Sequence, residues 1–212
     1  MSTASPAASE DDPATAGTAG SLHTLDALAR DPARVQDAVA GYVAARDGID
    51  PATDDGAWRV AFLLDHVPQV PDAFDDVEPL FARAAATCRS PAIADRALVA
   101  AASLARSRGD HRTAYARLRE VMARCRGADS SAEVSACVNL AWVLSSDGRM
   151  PEAFVVAGRA ARLAEARGAH RALAIAATAR AAALREFGCY DDAHAELDRA
   201  EAANAREPHP GT

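Results

Sequence analysis

The sequence predicts an all-α protein built as a stacked array of antiparallel helix pairs. Three observations carry that expectation. Half of the 212 residues are hydrophobic but only 5% are aromatic, and alanine dominates, which suits helices that approach closely because alanine combines high helix propensity with little bulk. No run of alternating β-branched residues between turn signals marks a strand. A glycine followed five residues later by an alanine occurs three times, as Gly109/Ala114, Gly148/Ala153 and Gly188/Ala193, with the glycines 39 and 40 residues apart. A fixed period of that length marks repeated supersecondary units.

Along the chain, residues 1–20 combine Ser, Thr, Ala, Pro and Gly with three acids and, beyond Met1, no large apolar side chain. Burial there cannot offset the entropy of ordering, so the segment reads as a disordered tail. Residues 21–50 form an N-terminal helix or helix pair capping the array, with helix over 22–46 interrupted at Asp31-Pro32. Residues 51–206 form the repeat domain, with helices over 56–67, 73–89, 91–107, 111–126, 131–146, 150–167, 170–187 and 190–205. Residues 207–212 read as a flexible C-terminus. Asp31-Pro32 and Ser90-Pro91 place a capping oxygen before a proline at the first helical position. Ser130 with Glu133 fits a capping box. Gly109, Gly148 and Gly188 each close an apolar-periodic run, where a left-handed glycine ends a helix. Connections this short make sequential helices antiparallel neighbours.

With each glycine as zero, position +5 is Ala114, Ala153 and Ala193, +9 is Leu118, Ala157 and Leu197, and +12 is Val121, Ala160 and Ala200. Position −4 is Ala105, Leu144 and Leu184, and −7 is Ala102, Ala141 and Ala181. A weaker copy starts at Asp72, with Phe74, Val77, Phe81 and Ala84 at +2, +5, +9 and +12. Cys88 and Cys125 share position +16, a core position. The small residues at −7 and +5 let the two helices of a pair approach, and +9 and +12 pack onto the next pair, so the units stack.

Over residues 56–205 this pattern resembles the tetratricopeptide repeat. The resemblance implies a right-handed superhelical array, an α-solenoid of about four pairs plus the N-terminal helix. The sequence departs from the family in four ways. The usual proline near the end of the second helix is absent. The period is 37–40 residues rather than about 34. His111 stands where an aromatic is usual. Arg180 occupies −8, an apolar position, as a solvent-facing terminal pair would allow.

Catalytic signatures are missing from the sequence: there is no nucleophile-elbow, zincin or P-loop motif. All 23 basic residues are arginine, which removes lysine chemistry. The four cysteines form no C-x-x-C pair, so no metal or disulfide framework is expected, nor any cofactor. The carboxylate pairs in "DAFDD" (72–76) and "CYDD" (189–192) lie at helix N-termini, where they complement the macrodipole. A net charge of −7 argues against a nucleic-acid partner. No apolar stretch is long enough to span a membrane, no secretory leader is recognisable, and the expected location is cytoplasmic.

The sequence therefore points to a non-enzymatic module that binds a peptide or partner protein. In the family resembled, the first helix of each pair lines the concave groove. Carried across by register, the groove residues are Arg59, Phe62 and His66; Arg96, Val99, Ser103 and Arg106; Val138, Asn139, Trp142 and Ser145; and Thr178, Ala182 and Arg185. Asn139 can hold a peptide backbone through donor and acceptor, Trp142 shares its face, and Arg96, Arg106 and Arg185 suit carboxylate or phosphate groups. A second patch is the basic helix 111–126, with Arg112, Arg119 and Arg126 on one stripe and Arg117 and Arg124 on another, suited to an acidic partner. Two other readings are a ligand-responsive regulator acting through a partner and an accessory protein of a biosynthetic enzyme. An array must also protect its end faces, which makes a homodimer compatible with the pattern.

Overall fold

The computed structural model describes residues 22–67, 75–126 and 130–206. The tails expected at 1–20 and 207–212, and Phe74 of the weak repeat copy, lie outside them. The described residues contain helices and no strand. The helices are α1 (22–29), α2 (Val35–Ala44), α3 (Asp54–His66), α4 (Glu78–Thr87), α5 (Pro91–Ser107), α6 (His111–Arg124), α7 (Ser131–Ser146), α8 (Met150–Ala166), α9 (His170–Glu186) and α10 (Tyr190–Asn204). The helix expected over 22–46 is divided at Asp31-Pro32. Proline removes a backbone donor and holds its own φ, and a 3₁₀ turn at Pro32–Arg34, capped by Asp31 Oδ1 accepting from the Ala33 N–H at 3.0 Å, leads into α2.

From α3 onward the helices pair as α3/α4, α5/α6, α7/α8 and α9/α10. The first helices α3, α5, α7 and α9 also touch one another in chain order, forming one layer, while the second helices α4, α6 and α8 each pack between the first helix of their own pair and that of the next. The turn glycines behave as their position requires. Gly109, Gly148 and Gly188 have φ of 77°, 74° and 78°, and each turn closes with the Schellman pair of bonds. At Gly148 these run from Gly148 N–H to the Ser145 carbonyl (3.1 Å) and from Arg149 N–H to the Leu144 carbonyl (2.8 Å). Gly168, between α8 and α9, adopts the same conformation at φ 63°, so the glycine turn joins successive pairs as well as the helices within one.

The alanines at −7 and +5 are all buried, which places the closest approach of paired helices where the sequence expects it. Two cores result. One gathers Leu22, Tyr42, Ile49, Leu63, Leu80, Phe81 and Leu104 around α1–α5. The other runs from Leu98 to Ala203 across α5–α10 and is mostly alanine, valine and leucine. They meet at α5, whose Ala97, Ala101 and Leu104 face the first while Leu98, Ala102 and Ala105 face the second.

Buried charge pins the N-terminal end. Asp26 on α1 accepts two bonds from the Arg59 guanidinium on α3, at 2.9 and 2.8 Å, and one from the Tyr42 hydroxyl on α2 at 2.6 Å. The Arg59 bonds hold the Asp26 carboxyl below its ordinary pKa, while burial raises the Tyr42 hydroxyl. Farther along, Glu78 bridges Arg108 (2.7 Å) and Arg117 (2.9 Å), tying α4 to α5 and α6. Burial works to raise the Glu78 carboxyl, and the two arginines together outweigh it.

Two expected caps do not form. Ser90 and Ser130 precede their helices with extended backbone but make no side-chain capping bond. The Ser130 hydroxyl instead receives the Cys125 thiol at 3.5 Å, and buried Glu133 pairs with Arg159 on α8. Arg180 also departs from expectation. Rather than marking a solvent-facing pair, it is half-buried, pairs with Glu196 on α10 at 2.8 Å and stacks over the Phe154 ring at 5.1 Å.

Candidate binding groove

The layer of first helices presents a groove whose centre is α7. That helix is enclosed by α5, α6, α8 and α9, and along its first three turns only Ser131, Ser135 and Asn139 reach solvent. Spaced four apart, they fall on one face. Leu64 of α3, Arg96, Val99, Ala100 and Ser103 of α5, and Ser131, Ala132 and Ser135 of α7 enclose a depression of about 270 Å³. Ser135 also borders a second, more open depression of about 450 Å³, reached by Arg171 and Ile175 of α9. A trough therefore crosses four first helices. Its walls are largely aliphatic, and its polar lining combines the hydroxyls of Ser103, Ser131 and Ser135, each able to donate and to accept, with Arg96, His170 and Arg171.

The structure separates the residues named by register. Arg96 stands at the groove edge with its guanidinium on Asp65 of α3. Ser103 donates its hydroxyl to Asn139 Oδ1 at 2.8 Å, and Asn139 Nδ2 donates to the Ser135 carbonyl at 2.9 Å. Asn139 thus couples α5 to α7, keeping one N–H and one lone pair for a ligand. Trp142 is half-buried and packs against the alanine-rich core. Arg106 is half-buried one turn beyond Ser103. Thr178, Ala182 and Arg185 lie elsewhere, in a cleft between α9 and α10. Arg59 and Phe62 are buried, Arg59 on Asp26 and Phe62 among Tyr42, Trp58 and His66.

Register misses Leu64, Ala100, Ser131, Ser135 and Ile175. A signal is present in α7, where serine, serine and asparagine recur every fourth residue over three turns that are otherwise apolar apart from Glu133. The basic helix α6 divides as well. Arg117 and Arg124 are neutralised by Glu78 of α4 and Asp95 of α5, whereas Arg112, Arg119 and Arg126 are exposed. His111 is bonded to Asp147 at 2.7 Å, joining the start of α6 to the end of α7. Cys125 and Cys137 are buried free thiols whose pKa values burial raises, that of Cys137 to about 11. Among the described residues, no helix is long and apolar enough to cross a membrane.

Solved structures match this arrangement over nearly the whole chain. The crystal structure of BtubC (BKLC) from P. vanneervenii aligns with a TM-score of 0.59 at 18% identity, covering 93% of this chain and 94% of that one. A kinesin-light-chain-like protein of Podosopora anserina, with nearly identical TPR-like repeats, aligns at 0.55 and 16% identity, covering 91% and 97%. A point variant of that protein aligns at 0.58 and 16% identity, covering 91% and 96%. The fold is a tetratricopeptide-like repeat array. No family model and no curated protein matches the sequence. At these identities the likeness to other tetratricopeptide-like arrays is one of architecture. The side chains lining this array's groove are its own.

Proposed function

We infer that this tetratricopeptide-like array is a non-catalytic interaction module that holds an extended protein segment across its concave face. The observation that carries the reading is the trough across α3, α5, α7 and α9, centred on the solvent-facing stripe of α7. An extended backbone leaves amide and carbonyl groups that need partners, and Ser131, Ser135 and the spare valences of Asn139 supply both donors and acceptors. Leu64, Ala100 and Ile175 offer shallow apolar contact for small side chains. The Arg96–Asp65 pair at one edge and Arg171 at the other would set polarity along the segment. Four free cysteines, two of them buried, suit a reducing compartment such as the cytoplasm.

The exposed arginines of α6 support a second reading, an acidic partner docked on the outer layer. Capture of partners from a lysate of the source organism separates the two. Ser135→Arg places bulk and charge in the trough without removing a core side chain, and Arg119→Glu reverses the outer patch. The groove reading expects capture to be lost with Ser135→Arg and kept with Arg119→Glu, both proteins retaining wild-type helicity. The opposite pattern would move the site to α6, and capture unchanged in both would overturn groove and patch alike.

A further inference from the structure

The last described pair, α9/α10, carries a surface that the other pairs cover. Counting from each turn glycine, the alanines at −7 and +5 are buried in all three units, and the +9 residues of the two internal units, Leu118 and Ala157, are buried as well. At the third unit, Leu197 at +9 is 41% exposed and Tyr190 at +2 is 63% exposed. Between α9 and α10 they border a cleft of about 210 Å³ that also takes in Thr178, Ala182, Arg185 and His194. In register this cleft corresponds to the seat that the α7/α8 pair offers to α9.

We propose that two copies of this chain pair through this end face, related by a two-fold axis running along the helices, so that α9 of each copy lies against α10 of the other. Charge selects both the occupant and the orientation. On α10, Asp191, Asp198 and Glu201 are exposed and, by helical spacing, flank the cleft-lining Tyr190, His194 and Leu197, and on α9, Arg185 lines the cleft beside exposed Glu186. Arg185 pairs with its neighbour Glu186 at 3.3 Å, an exposed contact that gives up little when it rearranges. The face therefore has a basic edge and an acidic edge. A two-fold axis parallel to the helices lays the basic edge of each copy on the acidic edge of the other. An axis across the helices would set α10 against α10 and acid against acid.

Arg185 and Asp191 stand three residues either side of Gly188, at the same level beside the turn, so each Arg185 meets the partner's Asp191. Leu197 and Tyr190 of each copy enter the cleft of the other, antiparallel to the helices they touch, as in a four-helix bundle. Such a contact is isologous and closes at two. It leaves both concave grooves open, on opposite sides of the axis.

Sedimentation equilibrium of the full chain tests the pairing. The wild type is expected to reach twice the 22.0 kDa chain mass in a concentration-dependent step. Leu197→Glu is expected to raise the dissociation constant by about 100-fold or more, since it sets a charge in the centre of the interface. Arg185→Glu should raise it by about tenfold through like-charge contact with Asp191, and Arg185→Glu combined with Asp191→Arg should restore it. Circular dichroism on each variant separates lost pairing from lost fold. A wild type that stays monomeric at every attainable concentration would overturn the proposal, as would a dimer that neither Leu197→Glu nor Arg185→Glu weakens. A monomer whose cleft is instead filled by a helix of another protein would also overturn it.

Discussion

The two halves of this array are held together in different ways. The N-terminal half, α1–α4, is short-helixed and irregular, with 3₁₀ turns and large side chains such as Tyr42, Phe81 and Leu63 in its core. One of its anchors is the buried Asp26–Arg59–Tyr42 cluster. The C-terminal half, α5–α10, has longer helices, four left-handed glycines and a core in which alanines set the helix spacing. A core of large side chains loses most when a side chain is removed. A core of alanines loses most when one is added. The regular half can be extended by stacking, and it builds most of the groove. The irregular half supplies Leu64 and Asp65 and closes the other end.

That contrast can be broken from its strongest point downward. Asp26→Ala leaves the Arg59 guanidinium buried without its partner, a change that typically costs about 3–5 kcal/mol, and urea unfolding should show it. The pH dependence has a definite sign. Because the folded-state pKa of Asp26 is lowered, its contribution is complete above the ordinary carboxylate value of 3.8 and is lost as pH falls through the lowered one. The stability gap between wild type and Asp26→Asn should therefore be wide at neutral pH and close in acid.

Leu63→Ala in the same half removes a fully buried side chain and should cost about 2–5 kcal/mol. In the other half the informative change is the reverse one. Ala141→Leu adds bulk at a buried close-approach position and should cost about 1–3 kcal/mol, whereas Ala116→Leu on the exposed face of α6 should be near neutral. If Ala141→Leu left the midpoint unmoved, the alanines would not set the helix spacing.

Glycine substitutions sharpen the same contrast. At Gly148 a methyl group would meet nothing within 4 Å, so Gly148→Ala costs only the left-handed backbone, about 1–2 kcal/mol. At Gly56, in the N-terminal half, the methyl would lie 1.7 Å from the Asp50 carbonyl oxygen, and Gly56→Ala should cost more than Gly148→Ala. The smallest effect is expected from Arg34→Ala, which breaks an exposed pair with Asp37 and should change stability by no more than about 1 kcal/mol.

The regular half is legible in the sequence because its structure is local and repeated. A glycine at φ near 75° and an alanine at the helix contact need only a few neighbours to be recognised. Gly168 escapes because the residue five positions on is Leu173, so it lacks the paired alanine although its turn is the same. The caps at Ser90 and Ser130 mislead because serine before a helix is a local signal, while the partners that claim Glu133 and the Ser130 hydroxyl, Arg159 and Cys125, depend on tertiary packing.

The groove is only partly legible for the same reason. Register identifies which helices face inward but not how far each is rotated. Here Arg59 and Phe62 are buried, Thr178, Ala182 and Arg185 lie in the cleft between α9 and α10, and Ser131 and Ser135 line the trough.

The measurement that tests the central claim most directly is site-specific photocrosslinking in cells of the source organism. One protein would carry the photoreactive residue in place of Ser135, in the trough, and another in place of Ala116, on the outer face of α6. The account predicts that position 135 crosslinks to a partner protein and that position 116 does not. Crosslinks from position 116 with none from 135 would contradict it and place the working surface on the outer layer.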